Sequence, residues 1–154
     1  QLEFFTFNFS NLVGTAEDES FRLDGALTLR TAAESTTIDM ELLFENAVAG
    51  ETVWFNDFVI SVTDGVDAGQ PYQELTFSGR IYHPEHGYAD VRTDVPFRFE
   101  MDADHPGEGV LILTGSEDAT IVMSVLSDDQ YQLEGDMDGD GEYDCGPEVY
   151  DWED

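Results

Sequence analysis

The chain has no lysine, and its 154 residues carry only five cations, all arginine, against 35 Asp and Glu, for a formal net charge of −30. Phosphate recognition needs clustered cations, so nucleic acid is excluded as a direct partner. An anionic membrane surface is excluded for the same reason. There is one cysteine, Cys145, so no disulfide can form within the chain. No apolar run approaches the roughly 18 residues of a membrane-spanning helix, so no membrane insertion is expected. Also missing are a G-x-S-x-G elbow, a phosphate-cradling glycine loop and a His-Glu-x-x-His pair. Cys145 has no neighbouring base in the sequence to activate it as a nucleophile. The chain therefore reads as a non-enzyme.

What is present argues for a folded domain. Eleven Phe, six Tyr and two Trp are too many for a disordered acidic chain. A single domain of this length buries roughly 70% of the surface of its unfolded chain. A charge of −30 repels itself, and screening relieves that repulsion: the Debye length is about 8 Å at physiological ionic strength and about 3 Å at 1 M. An exported, extracellular or cell-surface setting in marine or hypersaline water is the expectation. The first residue is Gln1 rather than Met, as in a processed or trimmed chain.

Period-two alternation dominates. Phe21, Leu23, Gly25, Leu27 and Leu29 alternate with Arg22, Asp24, Ala26, Thr28 and Arg30, and Ile38, Met40, Leu42 and Phe44 with Thr37, Asp39, Glu41 and Leu43. Leu75, Phe77, Gly79 and Ile81 repeat the pattern, followed by Val95, Phe97, Phe99 and Met101. Such segments are half-buried strands. Further strands are expected at 51–63, 109–114, 119–127 and 129–134. Apolar parity slips at Asn56-Asp57, which predicts a bulge or tight turn. The stretch 31–36 is the one candidate short helix. Strands separated by Gly, Asp, Asn and Pro turns predict an all-β, antiparallel β-sandwich or flattened barrel in one domain. Residues 1–135 form its body, and 136–154 an acidic tail attached to it. The motifs ending in Gly25, Gly79 and Gly115 echo one another without a regular period.

Strand 2–9 differs from the others. Phe5, Phe7 and Phe9 fall on one face, Leu2 and Phe4 on the other. A strand apolar on both faces is either buried on both sides or sits at an edge awaiting a partner. The sharper reading is self-association as a homopolymer through Leu2 to Phe9, by strand addition to a neighbouring subunit.

The strongest local motif is Asp136-Met-Asp138-Gly-Asp140-Gly-Glu142-Tyr-Asp144. Calcium takes six to eight hard oxygens, and short Asp side chains on a glycine-turned backbone can supply them. The run resembles the D-x-D-x-D-G calcium loops of EF-hand and dockerin-like repeats. That resemblance implies Asp136, Asp138 and Asp140 as first, third and fifth ligands, Gly141 at the sharp turn, Glu142 through its carbonyl and Asp144 as the ninth-position contact. Pro147 stands where the helical version has its bidentate Glu, which favours a loop between strands or at a tail. Two other clusters read as connections: Asp102, Asp104, His105 and Glu108, and the His83–His86 turn between Tyr82 and Tyr88. An aromatic sugar site from Trp54, Tyr82 and Tyr88 is the remaining candidate.

The runs at 78–88, 109–116 and 131–143 are similar to poorly characterised β-rich secreted or lipoprotein domains of marine gammaproteobacteria, which implies export. The expectation is thus an exported, calcium-binding structural protein of the cell surface, a filament subunit assembling by N-terminal strand donation. The alternative is a monomeric secreted glycan- or ligand-binding β-sandwich module.

Overall fold

The computed structural model describes residues 3–16, 19–46, 50–101 and 103–152. Leu2 and Asp102 lie outside them. The ten strands are β1 (Glu3–Ala16), β2 (Glu19–Thr31), β3 (Ser35–Asn46), β4 (Glu51–Asp67), β5 (Gln70–His83), β6 (Gly87–Glu100), β7 (Glu108–Thr114), β8 (Thr120–Val125), β9 (Gln130–Asp136) and β10 (Cys145–Asp151). Among the described residues the only helical turn is Ser116–Asp118. The fold is antiparallel and all-β, as the alternation predicts.

Within that class the strands hydrogen-bond as one open sheet in chain order, β1 to β10, rather than as two packed sheets or a closed barrel. Short connections cause this. A link such as Ala68-Gly69, with φ of 49° and 85°, is a two-residue hairpin turn that returns each strand onto its predecessor. The candidate helix at 31–36 is one of these links. Thr31 ends β2, Ser35 begins β3, and Ala32 N–H donates to Ser35 O at 2.8 Å. Thr36 and Thr37 continue in the sheet, where β-branched side chains fit better than in a helical turn.

The bulge expected at Asn56-Asp57 is present. The β4 register slips between Asn56 and Val59, and Asp57 has φ 47°. Its backbone N–H, freed from the ladder, donates to Glu41 Oε1 at 2.6 Å. β1 repeats the device: its register slips between Phe9 and Leu12, Asn11 has φ 51°, and Asn11 N–H donates to Asp24 Oδ1 at 2.6 Å. Asn and Asp tolerate this left-handed geometry, and a carboxylate on the adjoining strand accepts the orphaned donor. The glycine echo has the same origin. Gly25 (φ 128°) and Gly79 (φ 126°) both need a backbone that L side chains rarely adopt. A Cβ on Gly79 would lie 2.5 Å from Asp57 O, and one on Gly25 would overlap Glu41 O. Gly115 has φ −93° and plays no such part.

Register sorts the side chains onto two faces. One face carries Phe5, Phe7, Leu27, Leu29, Ile38, Met40, Phe58, Ile60, Leu75, Phe77, Phe97, Leu111, Met123 and Leu133. The opposite face carries all five arginines. There Arg22 pairs with Asp24 and Glu45, Arg30 with Asp39, Arg80 with Asp90, Arg92 with Asp94, and Arg98 with Asp67 and Glu100. These exposed pairs contribute little each. They nonetheless commit every cation to one face.

The core is small. Among the described residues the buried hydrophobic side chains are Phe58, Val91 and Phe97. Phe97 meets Phe77 edge-to-face at 6.0 Å and packs where Gly109 leaves room. A 17.2 kDa chain exposing 10051 Å² exceeds the roughly 7,800 Å² of an ordinary folded monomer of that mass. An open sheet with few buried side chains accounts for the excess.

Candidate metal site

The acidic loop joins β9 to β10. Pairing of Thr120 with Asp136 and of Gly135 with Cys145 fixes its two ends, and Asp144 N–H donates to Gly135 O at 2.8 Å. Asp136 is 6% exposed. A buried carboxylate needs donors, and the loop supplies two: Gly139 N–H to Oδ1 at 2.7 Å and Gly141 N–H to Oδ2 at 2.8 Å. Met137 N–H donates to Asp144 Oδ2 at 2.7 Å, and Asp140 N–H to Asp138 Oδ1 at 3.3 Å. The alternate-position acids therefore hold the turn's backbone, each oxygen keeping a second lone pair.

Asp136, Asp138 and Asp144 each present an oxygen within 4.8 Å of the others. Two ligands on opposite sides of a calcium ion stand about 4.6–5.2 Å apart, so one ion fits these three. The carboxylates of Asp140 and Glu142 lie outside this group; Asp140 Oδ1 instead accepts Glu142 N–H at 2.8 Å. Sequence reasoning missed the turn that backs the loop. Gly139 packs against Glu117 O and Asp118, whose φ values are 60° and 61°. Their distance along the chain leaves no spacing signal, and only the β8–β9 register brings them in. Cys145 is a free, exposed thiol at the loop's exit, with Sγ 3.5 Å from Gly135 O.

The structure also gathers Trp54, Tyr82 and Tyr88, on β4, β5 and β6 of the arginine face. Trp54 and Tyr82 stack at 4.9 Å and Tyr82 lies 6.1 Å from Tyr88. Arg80 sits 4.2 Å over the Tyr88 ring while gripping Asp90 through two bonds of 2.6 and 2.7 Å. That bidentate pair raises the Arg80 pKa and holds Asp90 below the ordinary carboxylate range. The rings of Tyr82 and Tyr88 are thus engaged with one another, with Trp54 and with Arg80, as a ladder across the sheet, while Trp54 remains 42% exposed.

The histidines stay apart in two places. His83 and His86 stack at 4.5 Å in the β5–β6 turn, where His83 Nδ1 accepts Glu85 N–H. His105 stacks on Trp152 at 5.5 Å. No family model, curated protein or solved structure matches the chain.

Proposed function

We propose that this protein is an exported structural subunit that self-associates at the cell surface through the edge of its sheet and binds calcium in the β9–β10 loop. The observation that carries the reading is strand β1. It pairs with β2 on one side only, and among the described residues its other edge meets no strand. After Glu3 it has no charged residue, in a chain where 26% of residues are charged. Phe4 and Phe5 are 68% and 56% exposed on opposite faces. A long, uncharged, apolar edge is what natural sheets avoid unless another strand is meant to join it. Because β2 already holds the inner edge, assembly uses the outer edge of β1. The other open edge, β10, is shorter and carries Glu148 and Asp151. Unlike edges join head to tail and need not close into a ring.

The acid triad supports the calcium part, since three carboxylates at such spacing repel one another until a cation joins them. The rival, a monomeric glycan-binding module, draws on the Trp54–Tyr82–Tyr88 row, in which Trp54 is 42% exposed while Tyr82 and Tyr88 are engaged with Trp54 and Arg80. Deleting residues 1–9 tests the proposal. Loss of assembly with the β-sheet circular dichroism signal retained is expected. A full-length chain that stays monomeric, with a truncation that simply unfolds, refutes it.

A further inference from the structure

We infer that the apolar face of the sheet docks face to face on the same face of a second copy, so that the two-layer sandwich is built between chains. Three observations point to this occupant. The first is charge. Among the described residues, the acids on the apolar face lie toward its margin, Glu3, Glu51 and Asp64 near strand ends and Glu148 in the middle of the edge strand β10, while the centre is occupied by Leu27, Met40, Ile60, Phe77 and similar side chains. An apolar centre with an acidic rim describes an interface patch. Two chains of −30 can meet there without bringing their central surfaces into like-charge contact, because the arginines and their carboxylates face outward.

The second observation is area. The chain exposes 10051 Å², about 2,250 Å² above the roughly 7,800 Å² of a monomer of this mass. The excess is spread over both faces, and covering an equal half of it on each partner removes about 2,250 Å² in total, at the lower end of the 2,000–5,000 Å² of obligate homodimers. The third is exposure at both ends of the same face: Phe7 on β1 is 52% exposed and Ile121 on β8 is 42% exposed. Between them Phe58 and Phe97 are buried and their neighbours half-buried, so the exposed apolar area of this face lies toward its two ends. Facing sheets pack about 10 Å apart with interdigitated side chains, the geometry a single open layer lacks.

This contact is independent of edge addition at β1, since it uses the face and not the edge. Sedimentation velocity on a dilution series of the full chain at low and molar salt separates the two. Face pairing predicts that the smallest species is a pair of twice 17.2 kDa, favoured by salt, whether or not longer polymers form. Phe7→Asp and Ile121→Asp, both at already exposed positions, reduce it to a monomer with unchanged far-ultraviolet circular dichroism. Phe4→Asp, on the same strand but the arginine face, leaves the pair intact. A 17.2 kDa smallest species at all salt concentrations overturns the inference. So does a monomer that co-purifies with extractable lipid, since lipid then covers the face. Equal dissociation by Phe4→Asp and Phe7→Asp also overturns it, because strand β1 rather than the face would be the contact.

Discussion

Alanine substitutions at Gly79 and Gly87 separate two costs that glycine avoids. Both residues have positive φ, 126° and 83°. At Gly87 nothing lies within 4 Å of an added Cβ. The penalty there is backbone strain alone, about 1–2 kcal/mol for a left-handed L residue. At Gly79 the Cβ meets Asp57 O and the Phe58 Cα, each at 2.5 Å, and both are backbone of the bulged strand. Neither can swing aside as a side-chain tip would. Overpacking of this kind costs about 1–3 kcal/mol in addition to the strain, so Gly79→Ala should destabilise by about 2–5 kcal/mol in total. Urea unfolding at fixed protein concentration measures both variants, with the slope m checked for constancy. Indistinguishable midpoints for Gly79→Ala and Gly87→Ala would refute the close approach of β5 to the β4 bulge.

Phe97→Ala removes one of the three buried hydrophobic side chains among the described residues and should cost about 3–5 kcal/mol in the same urea assay. Phe4→Ala, on an exposed edge, should leave that midpoint nearly unchanged. Asp90 is depressed by its Arg80 pair, so its contribution is present above the ordinary Asp value of 3.8 and lost as pH falls through the lower folded-state value. The stability gap between Asp90→Asn and the parent should therefore close in acid, and a gap constant with pH would contradict the pairing. Calcium at 100 times its dissociation constant should stabilise the fold by about 2.7 kcal/mol, a rise in Tm of about 5–10 °C. Asp136→Asn should abolish that rise, and equal melting with calcium and with chelator would remove the site. Melting temperature should also climb with monovalent salt at saturating calcium, since screening relieves the self-repulsion of −30.

The strands were legible because alternation is a local signal: Ile38 to Phe44 and Leu75 to Ile81 lie on one face as their spacing predicts. The bulge at Asp57 was legible as a slip in parity, whereas its twin at Asn11 was not, because aromatics on both faces of β1 hide any slip. Layering was not legible. The same alternation suits a sandwich, a barrel or an open sheet, and what distinguishes them is pairing in chain order with no β1–β10 pairing among the described residues. In the acidic loop, spacing brought Asp136, Asp138 and Asp144 together. It could not show that backbone N–H groups of Gly139 and Gly141 occupy Asp136, nor that Glu117 and Asp118 stand behind the turn.

The central claim, that this is one layer of an assembly rather than a finished monomer, is met most directly by negative-stain electron microscopy of the full chain in calcium and molar salt. The account predicts ordered polymers that disappear when residues 1–9 are removed. A field of monodisperse 17.2 kDa particles under the same conditions, with the sheet intact, would contradict it.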